Sequence, residues 1–126
     1  SNKLYLNKGD FKFEDVTATA KVSDAQGWST GTTMIDINND GWMDIYVCKS
    51  ASLNNNLLRR NKLFVNQKDG TFKEEAAKWG LDDDGFSTQA YFFDYDKDGD
   101  FIPKPPITYI EMTETVLPML PSIADL

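Results

Sequence analysis

The sequence predicts an all-β fold in which short antiparallel strands recur along the chain. Segments rich in β-branched and aromatic residues alternate with turns that contain Asp, Asn and Gly, which is typical of strands joined by tight connections. The segments repeat with a period of about 60 residues. Two acidic loops, 36–44 and 94–100, are placed one such period apart.

The period is visible in matching segments that keep their order. Three of them recur about 60 positions later: 2–7 as 61–66, Phe11-Lys12 as Phe72-Lys73, and 27–30 as 85–88.

Within one period the pattern predicts four strands, at 28–35, 43–49, 61–66 and 71–75. Asp69-Gly70 predicts a hairpin turn between the last two. A short helical turn is expected at 74–79, ended by Gly80. Four antiparallel strands per period of this length indicate one blade of a β-propeller.

The repeats predict a domain over residues 1–100, with a partial blade at 2–16, a full blade at 28–75 and a partial blade at 86–100. About two blades form an incomplete ring, since a closed propeller needs roughly four to eight. We therefore expect a piece of a larger protein, or a chain whose sheet edges are covered by the remaining blades or by a partner chain. Residues 101–126 predict an irregular tail, because all five prolines follow residue 100.

The loop 36–44 has the pattern of a calcium site. Asp36, Asn38 and Asp40 place oxygen atoms at alternate positions, Gly41 at the sixth position suits a sharp turn, and Asp44 at the ninth can close the ligand set. Ca²⁺ prefers six to eight oxygen ligands. The flanks resemble strands and the twelfth position is Val47, which argues against an EF-hand. A plain turn that binds nothing is the other alternative.

The loop 94–100 repeats this spacing with Asp94, Asp96 and Asp98. Its ninth position is Ile102 instead of an aspartate, and its twelfth is Pro105. We expect this second loop to bind Ca²⁺ more weakly than the first, because it lacks the closing carboxylate.

Composition excludes several other functions. A net charge of −7 argues against nucleic acid as a partner. The absence of histidine removes histidine-based catalysis and histidine-ligated zinc. The one cysteine, Cys48, cannot form an internal disulfide, and its strand context favours a buried small apolar residue. No apolar run is long enough to insert in a membrane as a helix.

The segments 61–66 with 69–72, 13–17, 27–31, and the first loop followed by 45–47 resemble the VCBS/FG-GAP repeat family. These calcium-loop β-propellers are related to the integrin α-subunit head, and the likeness is greatest to the ASPIC/UnbV and cartilage-acidic-protein-like branch. The resemblance covers about residues 2–100.

The resemblance implies a non-enzymatic, calcium-stabilised repeat module for adhesion or for binding a protein or glycan, in an extracellular, cell-surface or periplasmic protein. It implies that Trp42 and Asp100 ligate through their backbone carbonyls. The implied metal ligands are Asp36, Asn38, Asp40, Trp42 and Asp44 in the first loop and Asp94, Asp96, Asp98 and Asp100 in the second. A purely structural spacer in a larger surface protein, or part of a carbohydrate-active enzyme, remain the alternatives.

Overall fold

The computed structural model describes residues 1–50, 53–94 and 97–99, together with the backbone of 109–113. The strands are β1 (Tyr5–Asn7), β2 (Phe13–Asp15), β3 (Trp28–Ile35), β4 (Asp44–Ser50), β5 (Lys62–Asn66), β6 (Phe72–Glu74), β7 (Ser87–Phe92) and β8 (Tyr109–Thr113). A 3₁₀ turn (Asn56–Arg59) precedes β5, and one short helix, α1 (Ala76–Trp79), follows β6.

The strands form three antiparallel sheets, so the all-β prediction is confirmed. β3, β4, β5 and β6 pair in chain order as one four-stranded sheet, within the range predicted for a full blade. β1 pairs with β2, and β7 pairs with β8, as two separate two-stranded sheets. The described residues therefore contain one complete blade flanked by two half-blades. The predicted domain boundary at residue 100 stays a prediction, because 100–108 lie outside the described residues.

The backbone repeats with a spacing of 59 residues over the last two strands of each unit. Asn7 pairs with Phe13 in the first hairpin, and Asn66 pairs with Phe72 in the second. The structural equivalent of Phe72 is therefore Phe13, and the sequence match of Phe11 with Phe72 was wrong by two residues. The cause is a two-residue difference in where each turn places its first phenylalanine.

The turn after each of these hairpins is also repeated. The N–H of Val22 donates to the carbonyl of Thr17 (3.3 Å), as the N–H of Leu81 donates to that of Ala76 (2.9 Å). Gly80 ends α1 with a φ of 69°, which confirms the predicted helical turn and its stop. Lys21, at the equivalent position, has a φ of 60°. The first unit thus folds like the second although its sequence has no glycine there.

β7 and β8 reproduce the pairing of β3 and β4. Each pair has one irregularity in register, between Ser29 and Gly31 in the first and between Ser87 and Gln89 in the second. Those positions are 58 residues apart, whereas Lys49, opposite Ser29, and Thr113, opposite Ser87, are 64 apart. Six additional residues therefore lie between the second acidic loop and its following strand. The region predicted as a tail contributes a strand at the β4 position.

β4 is buried along its whole length, and its side chains alternate between two cores. Tyr46 and Cys48 belong to the core that includes Ala90 of β7, while Ile45 and Val47 belong to the core against which Leu4 packs. The half-blades consequently lie on opposite faces of the complete blade. The burial of Cys48 confirms the role predicted for it.

Polar groups within the complete blade are matched by partners. The ammonium of Lys49, whose side chain is 2% exposed, forms an ion pair with Asp24 and donates to the carbonyl of Gln26. Asn61 accepts from the N–H of Lys49 (2.8 Å) and donates to the Tyr46 hydroxyl and Ser87 Oγ (both 3.0 Å). Buried polar groups cost stability unless they are hydrogen-bonded, so this network ties β4, β5 and β7 together.

β3 and β7 approach each other closely at Gly31. A Cβ atom at that position would lie 2.3 Å from the carbonyl oxygen of Thr88 and 2.2 Å from Oε1 of Gln89. Hydroxyls of Thr30 and Thr33 donate to the carbonyls of Ser87 (2.7 Å) and Ala90 (2.6 Å). The contact between blades thus depends on a residue without a side chain.

We predict that Gly31→Ala destabilises the protein by about 1–3 kcal/mol, because the added methyl group forces two backbones apart. Denaturant unfolding followed by circular dichroism measures the change. Gly85→Ala is the matched control, since a Cβ there meets only the movable carboxylate of Asp83, at 2.9 Å. Equal stability of Gly31→Ala and the parent protein would contradict the close approach.

Candidate metal centre

The loop 36–44 connects two neighbouring antiparallel strands, because β3 ends at Ile35 and β4 begins at Asp44. Its backbone takes positive φ at Asn39 (58°) and at Gly41 (85°). Asparagine and glycine are the residues that tolerate this conformation best. The predicted placement of the loop between strands is confirmed, and with it the argument against an EF-hand scaffold.

Asp36 organises the interior of the loop. Its two carboxylate oxygens accept from the N–H groups of Asp40 (2.9 Å) and Gly41 (2.7 Å). Oδ1 of Asn38 accepts from the same N–H of Asp40 (3.2 Å). Since both oxygens lie within hydrogen-bond distance of one nitrogen, Asp36 and Asn38 face the same side of the loop.

Asp40 meets a cation from another part of the blade. Its Oδ2 lies 3.2 Å from the ammonium of Lys68, in the turn between β5 and β6, and 3.2 Å from Nδ2 of Asn38. Its Oδ1 accepts from the N–H of Trp42 (2.9 Å). Although desolvation acts in the opposite direction, the bond from Trp42 and the charge of Lys68 hold the pKa of Asp40 below its ordinary value.

Asp44 is fully buried at the end of the loop. Its two oxygens accept from the N–H of Ile37 (2.9 Å) and from the N–H of Asn66 (2.8 Å), so one carboxylate joins the loop to β5. Burial raises the pKa of Asp44, the two N–H bonds lower it, and the negative charges of Asp40 and Asp36 add to the increase. The three carboxylates are therefore close enough to repel one another.

The described part of the second loop has the same internal bonds as the first. Oδ1 and Oδ2 of Asp94 accept from the N–H groups of Asp98 (3.2 Å) and Gly99 (2.9 Å). Lys97 and Gly99 have φ values of 59° and 90°. Asp96 and Asp100 lie outside the described residues. The side-chain amide of Asn39 donates to the carbonyl of Gly99, which places the two loops side by side.

The first loop offers the oxygen donors that a hard cation requires, and its shape is compatible with a calcium site. Within the described residues, however, no three acidic or cysteine side chains are grouped closely enough to hold a metal ion in this arrangement. The carboxylates are occupied by loop N–H groups and, at Asp40, by Lys68. Ion binding requires the Lys68 ammonium to leave Asp40 and the carboxylates to turn inward. Ligation by the Trp42 carbonyl stays a prediction.

Comparison with protein families gives one match. Residues 1–47 match the model of the FG-GAP-like repeat. This part of the chain is an FG-GAP-like repeat. The matched range extends from before β1 through the first acidic loop and into β4, so it includes Asp36, Asn38, Asp40 and Asp44. No curated protein and no solved structure matches the chain.

FG-GAP-like repeats typically occur in extracellular proteins as propeller-like modules, and the blade described above agrees with that architecture. None of the helices in the described ranges is long and apolar enough to cross a membrane. The match ends at residue 47, but the backbone of the repeat continues through β6 and begins again at β7.

Lys68 is the member of this site that the sequence did not predict. It lies 24 positions beyond Asp44, in a turn whose Asp-Gly pair indicated only a hairpin. Its φ of 67° belongs to that turn and brings the side chain over the loop of the neighbouring strand pair. A signal existed only in the topology, since the β5–β6 turn and the β3–β4 loop end at the same edge of one sheet.

We predict that Asp44→Ala destabilises the metal-free protein by about 2–5 kcal/mol, because two buried N–H groups lose their acceptor. Chemical denaturation in the presence of a chelator isolates this effect from any contribution of an ion. Asp44→Asn retains one acceptor oxygen and should lose roughly half as much. A change below about 0.5 kcal/mol for Asp44→Ala would show that the carboxylate does not anchor the loop.

Proposed function

We propose that this chain is a calcium-stabilised, non-catalytic repeat module that presents its loop end to a protein or glycan partner outside the cell. One observation carries the calcium assignment: two loops 58 residues apart have the same backbone conformation and the same pair of N–H groups on their first aspartate. The repetition of the first loop's geometry in the next blade favours a shared ligand over an incidental turn.

The ion would act on an electrostatic conflict in the first loop. Asp36, Asp40 and Asp44 repel one another, and a divalent cation among them converts this repulsion into attraction. Asp36, Asn38 and Asp40 would hold the ion from one side, with the Trp42 carbonyl and Asp44 completing the set. The second loop lacks a carboxylate at its ninth position, Ile102, so weaker binding is expected there.

Calcium should raise the melting temperature, because it binds the folded loop and hardly binds the unfolded chain. For a site with a Kd of about 0.1 mM, about 10 mM Ca²⁺ adds about 2.7 kcal/mol and raises Tm by roughly 10 °C in a domain of this size. Differential scanning calorimetry with Ca²⁺ against a chelator measures this shift.

Two aspartates that precede a glycine provide the matched comparison. Asp40→Ala should lose most of the calcium-dependent shift. Asp69→Ala should retain it, because Asp69 bonds only to Thr71 within its own turn. A calcium response that is absent from the parent protein, or that is the same in both variants, would contradict the assignment.

The loop end also exposes apolar surface that a partner could cover. Trp42 is 47% exposed and Met43 is 54% exposed, and both follow directly on the metal loop. Aromatic residues are the commonest anchors in protein interfaces, and exposed indoles also stack on sugars. The non-catalytic assignment rests on the alternation of the acids around a glycine turn and on the absence of histidine.

We expect Trp42→Ala to weaken partner binding by at least tenfold without altering the calcium-dependent shift in Tm. Binding is measured on a glycan array and by pull-down from extracellular extracts. Trp28→Ala is the control, since Trp28 is 71% exposed at the opposite end of the blade. If neither assay gives a ligand for the parent protein, the structural spacer is the better assignment.

A further inference from the structure

The two half-blades have complementary free edges. In the complete blade, β4 pairs with β5, and the equivalents of these strands are β8 and β1. β8 is paired only with β7, and β1 only with β2. Each half-blade thus lacks the strand that the other one offers. One copy cannot join its own edges, because its half-blades pack on opposite faces of the complete blade.

The side chains of β1 are exposed where those of its equivalent are buried. Phe64 and Val65 of β5 are 4% and 5% exposed, whereas Tyr5 and Leu6, 59 positions earlier, are 55% and 50% exposed. The amino-acid types at the two places are alike, so the difference comes from the missing neighbouring strand. An edge of this kind readily pairs with another strand.

A groove beside β1 marks the position of one missing side chain. In the complete blade, Tyr46 of β4 is buried, packs edge-on against Phe92 (5.2 Å between ring centroids), and bonds to Asn61 and Leu81. The equivalents of these three neighbours are Met34, Asn2 and Val22. All three line a groove of about 170 Å³, together with Leu4 and Val47. The groove is the empty counterpart of the Tyr46 site.

We propose that a second copy of this chain supplies that strand, with its β8 pairing antiparallel to β1 to complete a four-stranded blade. The β4–β5 register carried to these strands pairs Tyr109 with Tyr5, Ile110 with Leu4, and Glu111 with Lys3. An apolar residue, Ile110, takes the position of Tyr46, and an acidic residue is placed opposite a lysine. This pairing is independent of metal binding.

The backbone of β1 leaves the correct groups free for this pairing. Leu4 uses its carbonyl to accept from the N–H of Val16 (2.9 Å) and its N–H to donate to Thr17 Oγ1 (2.9 Å), both on the β2 side. Because antiparallel strands alternate in the direction of their backbone groups, Tyr5 directs its N–H and carbonyl to the free edge. Tyr5 and Tyr109 should therefore form a hydrogen-bonded pair.

Disulfide trapping tests the register. Tyr5→Cys and Tyr109→Cys are made separately in a Cys48→Ala background, and the two proteins are mixed under mild oxidation. Directly opposed residues have Cα atoms about 5.5 Å apart, which a disulfide can span. We expect the mixed dimer in at least tenfold excess over the mixture of Tyr5→Cys with Thr113→Cys, whose residues would be about 13 Å apart.

A variant at the edge tests the pairing without relying on a disulfide. Tyr5→Pro removes one edge N–H and should reduce association at least tenfold in sedimentation velocity, while Tyr5→Ala keeps that N–H and should still associate. Circular dichroism confirms that both remain folded. The proposal is overturned if the parent chain is monomeric at millimolar concentration, or if Tyr5→Cys forms a disulfide with its own kind as readily as with Tyr109→Cys.

Discussion

The burial of β4 on both faces is the constraint on which the rest of the structure depends. A strand whose alternate side chains are all apolar cannot be covered by one layer, so a unit must stand on each side of its sheet. Tyr46 and Cys48 are covered by β7, and Ile45 and Val47 by the segment that includes Leu4 and Val22. A blade of this kind is stable only as part of an array.

The acidic loops occupy the places where each array unit turns from its first strand to its second. Asp44 serves both the loop and the sheet, because its carboxylate bonds Ile37 in the loop and Asn66 at the end of β5. Burying that charge is costly, which is seen in its raised pKa. Lys68 offsets part of the negative charge at Asp40. The same position would be contested by a calcium ion, so the lysine and the ion are alternatives at one carboxylate.

The sequence predicted the parts of the fold that depend on local pattern. The four strands of the complete blade lie within about one residue of their predicted ends, and the loop lies between strands as expected from its flanks. The alternation of side chains and the chemistry of Gly41 and Gly80 are local properties, and they are readable without a structure. The match of Phe11 to Phe72 failed because letters were aligned where only strand pairing defines equivalence.

Features that depend on distant pairing were not predictable in this way. β8 is preceded by six additional residues and by prolines, so its sequence shows no repeat, yet it takes the register of β4 against β7. The burial of Lys49 contradicts the usual preference of lysine for the surface and depends on Asp24, 25 positions away. Lys68 reaches Asp40 only because two connections meet at one edge of a sheet.

The most direct test of the account is a crystal structure of the protein grown with Ca²⁺. The account predicts an ion in the loop 36–44, within about 2.3–2.6 Å of oxygens from Asp36, Asn38 and Asp40, with the Lys68 ammonium displaced from Asp40. A structure at saturating Ca²⁺ in which Lys68 still contacts Asp40 and no ion lies among these oxygens would contradict it.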